Sequence, residues 1–169
     1  MKKKSQFDNT PINSPFRYAG GKFYARKIID SYIPEHDNYV EPFVGGGSIF
    51  FYKNKTRSWI NDTDTDLINC YRQIKNNVND LIDSLHGEVA TKERHHYYKN
   101  IFKPENNLER ATRYYYLNRT SYSGIMKFEN CYFGYGDKYS MRPENWGRQL
   151  LKNNSKLRDV KITSWDFEK

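Results

Sequence analysis

The stretch that most restricts how this chain can fold runs from Tyr39 to Phe51, Tyr-Val-Glu-Pro-Phe-Val-Gly-Gly-Gly-Ser-Ile-Phe-Phe. A short extended run ends in an acid and a proline, turns through three glycines and resumes with apolar residues able to open a helix. This is the outline of a βα loop, where a strand, a glycine turn and a helix N-terminus together seat a nucleotide-like ligand. Glycine is called for where φ is positive, or where something approaches the backbone too closely for a Cβ. A phosphate-cradling P-loop ends in Gly-Lys-Ser/Thr, whereas Gly47 is followed by Ser48-Ile49-Phe50. The dinucleotide fingerprint wants a third glycine where Phe50 stands, so Gly45 and Gly47 meet two of its three points. A nucleoside ligand without phosphates needs neither feature, yet gains from an acid that accepts hydrogen bonds from ribose hydroxyls. After the apolar run Ser58-Trp59-Ile60 comes Asn61-Asp62, where the next strand of a βαβ unit ends. A glycine-rich turn plus a helix-capping Asp accounts for the same residues without any ligand.

Around this loop the patterning predicts a series of short elements. Residues 1–14 are polar and read as a disordered tail up to Pro15. Tyr18-Ala19-Gly20-Gly21-Lys22 makes a turn into a helix carrying Phe23, Ile28, Ile29 and Tyr32, stopped by Pro34. Asp64 is placed to cap a helix whose apolar positions Leu67, Ile68, Tyr71 and Ile74 recur at helical spacing. Since Asp64 has that role, Asp62 is the acid free for a ribose. Residues 78–102 read as a polar helical region broken near Gly87, and residues 108–118 as a further helix bearing Arg110, Arg113 and Tyr114 to Tyr116. Those tyrosines read as core sooner than as ligands. Residues 119–139 are dense in Tyr, Phe, Gly and Lys, with Gly124, Asn130 and Gly134-Tyr135-Gly136 as turn punctuation. They predict a twisted hairpin with little apolar core of its own, whose side chains therefore face a partner. Residues 144–157 are amphipathic behind Pro143, and Val160 to Thr163 begins a strand that ends at Asp166-Phe167.

The 169 residues suit one domain, large enough to bury roughly 70% of the unfolded surface. A net charge of +8 alone describes a solvated surface as well as a polyanion binder. Combined with 17% aromatic residues, 15 of them Tyr, it favours nucleic acid, because phosphates attract Lys and Arg while unstacked bases seek flat faces. No apolar run approaches the ~20 residues that span a bilayer, and Met1-Lys2-Lys3-Lys4 leads into no signal core, so a cytoplasmic protein is expected. Cys70 and Cys131 lie far apart without a CxxC context and read as reduced, incidental thiols. His95-His96 point to different helix faces with no third ligand nearby, so no metal site is expected.

Four segments, taken together and in order, carry a resemblance. They are Phe16 to Lys22 (Phe-Arg-Tyr-Ala-Gly-Gly-Lys), Glu41 to Phe50, Asn61 to Asn69 (Asn-Asp-Thr-Asp-Thr-Asp-Leu-Ile-Asn) and Leu117 to Gly124 (Leu-Asn-Arg-Thr-Ser-Tyr-Ser-Gly). They resemble successive motifs of the Dam-type, class D12 DNA adenine-N6 methyltransferases. The resemblance implies an α/β, Rossmann-like S-adenosylmethionine-dependent fold with an inserted helical and β-hairpin DNA-recognition region. By it, residues 15–75 form the cofactor-binding part, 76–157 the recognition region and 158–169 the return strand. It implies cofactor contacts from Tyr18, Gly20, Lys22, Glu41, Pro42, Phe43, Gly45, Gly47, Asp62, Asp166 and Phe167. A cation and helix N-terminal amides near Lys22 suit the carboxylate of the cofactor's methionine end. On double-stranded DNA it implies Arg119, Tyr122, Ser123 and Lys127, with Tyr122 as a wedge that helps a base leave the stack. Many relatives that read GATC carry Asn-Gly-Leu-Tyr-Arg where this chain has Ser123-Gly124-Ile125-Met126-Lys127. A point-charge lysine stands in for an arginine able to grip guanine bidentately, which weighs against GATC.

The same family holds the adenine N6 with an Asp-Pro-Pro-Tyr motif on the next strand. The six prolines here, Pro11, Pro15, Pro34, Pro42, Pro104 and Pro143, are never adjacent, so no catalytic residue is assigned. Two expectations follow. The parallel sheet should be about half complete, with an unpaired edge and an exposed apolar flank at its first strand. The missing chemistry should come from a second chain carrying the Pro-Pro motif, from a homo-oligomer, or not at all if the enzyme has decayed. A non-catalytic nucleic-acid-binding module stands as the alternative from another class, and a dinucleotide-dependent enzyme as a distant third.

Overall fold

In the computed structural model, residues 11–166 and 168 are described. The first helix, α1 (Arg26–Tyr32), follows the Tyr18 to Lys22 turn, and none of its residues is buried. Strand β1 (Asn38–Glu41) feeds the glycine loop and then α2 (Ser48–Tyr52), whose Ile49, Phe50 and Phe51 are buried. Strand β2 (Arg57–Asn61) returns beside β1, and β3 (Lys161–Thr163) beside β2, giving a parallel sheet of order β1-β2-β3. Val40 pairs with Trp59 and Trp59 with Lys161 in the ladder. Parallel pairing with a helical crossover brings the carboxyl ends of all three strands to one side of the sheet, where α/β ligands bind.

Those strand ends are tied together by Asn61, which is buried. Its Nδ2 donates to Pro42 O at 3.0 Å and Trp165 O at 2.9 Å, while its Oδ1 accepts from Thr163 Oγ1 at 2.7 Å and Trp165 N at 2.8 Å. Among the described residues β1 pairs with β2 alone, and its Val40 is 51% exposed. Ile28 and Tyr32 of α1, and Phe23 and Phe43 before and after it, are exposed apolar side chains as well. The unpaired edge and apolar flank expected at the first strand are thus present.

The crossover from β2 to β3 carries the rest of the chain. α3 (Thr65–Asn76) begins at Asp64, whose Oδ1 accepts the N–H groups of Asp66 and Leu67 at 3.0 Å each, a cap worth ~1 kcal/mol. Leu67, Ile68, Tyr71 and Ile74, spaced for one helix face, are fully buried and form the middle of the core. α4 (Val78–Ser84) follows, and the break anticipated near Gly87 separates it from α5 (Lys92–His96) and a π turn at Tyr97–Ile101. α6 (Asn107–Thr120) and α7 (Trp146–Leu157) pack on α3. Tyr115 and Tyr116 meet the Trp146 ring edge-on at 5.7 and 5.8 Å, and Tyr114 is also buried, so the tyrosine run is core as expected.

Three local findings differ from the sequence expectation. Residues 11–14 are held to the body: Ile12 N donates to Phe51 O at 3.2 Å, and Asn13 O accepts from Gln149 and Asn153 of α7. A backbone acceptor engaged by side chains of α7 fixes a stretch that composition alone would leave free. Residues 121–140 form no regular hairpin. They run through 3-10 turns at Tyr122–Gly124 and Phe128–Asn130, with one antiparallel bridge between Ser121 and Phe133. His95, whose role the sequence left blank, is a buried linker: its Nδ1 lies 2.8 Å from Thr120 Oγ1 and its Nε2 3.2 Å from Cys131 O. Cys70 and Cys131 are buried free thiols, and no described helix is long and apolar enough to cross a membrane.

Candidate cofactor and nucleic-acid site

The loop after β1 is fastened from several sides. Gly45 N donates to Asp62 Oδ2 at 2.9 Å, Gly45 O accepts from the Tyr71 hydroxyl at 2.8 Å, and Val44 N donates to Asn61 O at 2.9 Å. Ser14 Oγ donates to Gly46 O. Gly45 (φ 46°) and Gly47 (φ 70°) both occupy left-handed backbone, which a residue with a Cβ adopts at a cost. Space is also short. A Cβ on Gly45 would lie 3.1 Å from the Tyr18 ring, one on Gly46 2.8 Å from Tyr18 Cβ, and one on Gly47 2.7 Å from the Tyr71 hydroxyl. The bodies that press on the glycine loop from inside the protein are therefore Tyr18 and Tyr71.

Beside the loop lies a cavity of about 330 Å3, lined by Tyr18, Gly20, Lys22, Glu41, Phe43, Gly45 and Gly47. Seven residues expected at the cofactor are thus brought together. Burial pushes the Glu41 carboxyl up to about 7, against the pull of the Tyr39 hydroxyl, the Phe50 N–H in the first turn of α2, and Lys53. Tyr39 Oη donates to Glu41 Oε2 at 3.0 Å, and its own ionisation is suppressed by burial and then by that carboxylate. Glu41 so joins the end of β1 to the start of α2. Pro42, outside the cavity lining, is exposed, its carbonyl held by Asn61.

Asp62 accepts one backbone N–H on each oxygen, from Gly45 on Oδ2 and from Asp64 at 3.1 Å on Oδ1. An ionised carboxylate offers about four lone-pair sites, so capacity is left for two ribose hydroxyls. Tyr18, half-exposed beside Asp62 and Asp64, has its ionisation suppressed by burial first and by those two carboxylates second, and stays a neutral ring. Asp166 is exposed beyond β3, where its Oδ1 accepts Glu168 N at 3.1 Å. Phe167 lies outside the described residues. The cavity thus brings a neutral aromatic ring, an exposed lysine and the Glu41 carboxyl to the glycine loop, with Asp62 on the Gly45 N–H.

The segment expected at DNA begins where α6 ends. Tyr122 is 63% exposed and Lys127 is exposed, as a partner-facing role requires. Ser123 stands beside Tyr122 at φ 52°, left-handed backbone unusual for a non-glycine residue. Arg119 differs: it is 6% exposed, inside the last turn of α6, with its Nη1 on Pro15 O at 3.5 Å and its Nε without a partner. Helical phase turns Arg119 inward, while Tyr122, just past the helix end, turns outward. Arg119 is thus packed inside the protein, whereas Tyr122 and Lys127 are exposed.

Sequence reasoning missed the residue that joins the two parts. Asn118, fully buried, accepts Arg17 N at 2.9 Å on Oδ1 and donates from Nδ2 to Arg17 O at 2.8 Å and Gly124 O at 3.4 Å. Gly124 (φ 71°) sits so close to Arg17 that a Cβ would fall 2.4 Å from its carbonyl oxygen. The Arg17 guanidinium also donates to Ser121 O and Ser140 Oγ, each at 3.3 Å. A buried Asn between two motif segments was the available signal, but nothing in its spacing says which backbone it meets.

An open parallel sheet with a glycine turn after one strand and an acid after the next defines an α/β ligand-binding domain. Residues 18–169 match the family described as D12 class N6 adenine-specific DNA methyltransferase, and the chain belongs to that family. It is 32% identical over 175 residues to the type II methyltransferase M1.LlaDCHI of Lactococcus lactis subsp. cremoris, covering 92% of this chain and 59% of the relative. To the type II methyltransferase M.MjaIII of Methanocaldococcus jannaschii it is 33% identical over 184 residues, covering 91% of this chain and 62% of that one. A DNA N-6-adenine-methyltransferase of Escherichia phage P1 is 33% identical over 120 residues, which is 68% of this chain and 16% of the phage protein. The chain thus spans about three fifths of the first two relatives and a smaller share of the third.

Proposed function

We propose that this chain is the cofactor- and DNA-facing part of an enzyme that transfers a methyl group from S-adenosylmethionine to N6 of adenine in double-stranded DNA. The observation that carries the reading is Asp62, held at the carboxyl end of β2 against Gly45 N with hydrogen-bonding capacity to spare, beside the cavity of Tyr18, Lys22 and Glu41. The cofactor would supply an electrophilic methyl on sulfur. Lys22 would meet its carboxylate, Glu41 its ammonium, Asp62 its ribose hydroxyls, and Asp166 with Phe167 its adenine. Tyr122, Ser123 and Lys127 would address the duplex.

The amine of adenine is a weak nucleophile because its lone pair is delocalised into the ring. Acceptors must hold N6 in line with the methyl group, as the alignment and charge-stabilisation arguments require. The described residues include no Asp-Pro-Pro-Tyr segment. The open edge of β1 and the apolar face of α1 are the surface on which a further parallel strand bearing those acceptors would pair, on another stretch of polypeptide, on a second chain or in a homo-oligomer. Under this reading the protein would act in the cytoplasm, where its DNA substrate would lie.

One observation favours the non-catalytic reading: the glycines already have internal reasons in Tyr18 and Tyr71. Calorimetry with S-adenosylmethionine separates the two. Under the methyltransferase reading the chain binds it, and Asp62→Ala weakens binding on the order of 100-fold while the fold survives. Absence of binding, or an unchanged affinity in Asp62→Ala, would leave only the nucleic-acid module. Transfer of a labelled methyl to unmethylated DNA, with the acceptor identified as N6 of adenine by nucleoside analysis, then tests whether this chain suffices.

A further inference from the structure

A second basic surface lies away from the cofactor cavity. Ser140, Met141 and Arg142, at the end of the 121–140 segment, face Arg148, Gln149 and Lys152 of α7 across a cleft of about 460 Å3. Arg148 and Lys152 are one helical turn apart, on the same outward face of α7, and both are exposed. Gln149, on the inward side, is held by Asn13 O at 2.7 Å and fixes the floor. Ser140 Oγ is set in place from behind, accepting from Arg17 Nη1 and from Gly136 N at 3.3 Å each.

The charges around this cleft are poorly balanced by the protein itself. Among the described residues, Arg17, Arg119, Arg148 and Lys152 have no carboxylate within ion-pair distance, and Arg142 reaches Glu144 only at 4.0 Å, with both side chains exposed. Asp137, the acid in the lining, is engaged by the Tyr135 hydroxyl. Burial first and the nearby Arg119 second hold the Arg17 guanidinium below its usual range, and among the described residues Arg17 and Arg119 are answered by backbone carbonyls and a serine hydroxyl. A hydroxyl flanked by two guanidiniums and an ammonium, backed by a further guanidinium, matches a singly charged diester oxygen pair. It offers no flat apolar wall on which a base would stack.

We propose that this cleft takes a backbone phosphate of the bound duplex, outside the segment that addresses bases, with Arg148 and Lys152 as its principal contacts. The proposal rests on the DNA-binding reading above. The site is continuous with the base-facing segment, because Tyr122 packs against Gly134 and the chain passes through Gly136 to Ser140 and Arg142. It reads no sequence; it fixes the register of the duplex against Tyr122.

The test measures binding of a fluorescent, unmethylated duplex to the 169-residue chain across a salt series. Arg148→Ala with Lys152→Ala is compared with Lys92→Ala with Lys103→Ala, a control of equal charge at exposed positions on another part of the crossover. Melting temperatures should be unchanged, since all four side chains are exposed. If the cleft holds phosphate, the patch variant lowers the slope of log affinity against log salt by about 2. It also weakens binding equally for every duplex sequence, and the control moves neither. A slope unchanged in the patch variant, or lowered equally in the control, overturns the site and leaves the DNA reading standing. A parent chain that binds no duplex at low salt overturns the DNA reading itself.

Discussion

The glycine loop and the 121–140 segment are neighbours in space but are stabilised in opposite ways. The loop is closed on itself: each of its turns is held by a side chain or strand of the same unit, from Asp62, Tyr71 and Ser14 to the β1–β2 ladder. The 121–140 segment is held at its root, by Asn118, Arg17 and the bridge from Ser121 to Phe133, while Tyr122, Phe128, Tyr132 and Tyr139 remain exposed. One region has its contacts within the protein; the other leaves a row of aromatic side chains exposed. Under the proposed function, preorganisation suits a small ligand that must be aligned, whereas an exposed aromatic surface suits a long one.

The largest effect is expected where the two regions share a support. Asn118→Ala would leave the N–H and carbonyl of Arg17 unpaired in a buried place, at a cost of about 3 kcal/mol. Urea unfolding should register that loss, and both cofactor and DNA affinity should fall together. Retention of full DNA affinity would break the comparison at its root. Tyr122→Ala should instead change stability by less than ~0.5 kcal/mol, yet weaken duplex binding roughly tenfold through a lost stacking surface. If its cofactor affinity also fell, the two regions would not be separable.

Tyr71→Phe removes the hydroxyl that donates to Gly45 O and should cost about 1 kcal/mol, read as a melting shift accompanied by weaker cofactor binding and unaltered DNA binding. The remaining effect concerns Glu41 and is read against pH. Its folded carboxyl titrates near 7 and its unfolded one near 4.5, so the unfolded chain ionises first as pH rises. Stability should therefore decline between about 4.5 and 7 and then level off, and Glu41→Gln should abolish that decline. Cofactor affinity should move the other way, rising through pH 7 as the carboxylate forms opposite the ammonium. Parallel pH profiles in parent and Glu41→Gln would show that Glu41 faces the helix rather than the ligand.

Much of the glycine-loop region is legible in the chain itself. Spacing placed α3 and its cap at Asp64, the proline and glycines placed the turn after β1, and the end of the second apolar run placed Asp62. These are local properties, set by periodicity 3.6, by φ preferences and by short-range capping. The hairpin expected over residues 119–139 shows where such reading fails. Its turn residues were recognised, but strand pairing depends on a partner strand, and only one bridge forms.

By itself, then, the sequence determined the glycine turn between a strand and a helix, the acid after the second strand, the buried face of α3 and the basic, aromatic character of the whole. Tertiary structure alone decided that Tyr18 and Tyr71 fill the space the glycines leave, that Arg119 points into the core while Tyr122 points out, and that Asn118 joins Arg17 to Gly124. It also decided that Arg142, Arg148 and Lys152 converge. The physical reason is range: backbone preference acts within a turn, whereas the direction of a side chain and the partner it meets depend on residues about a hundred positions away, as between Arg17 and Asn118.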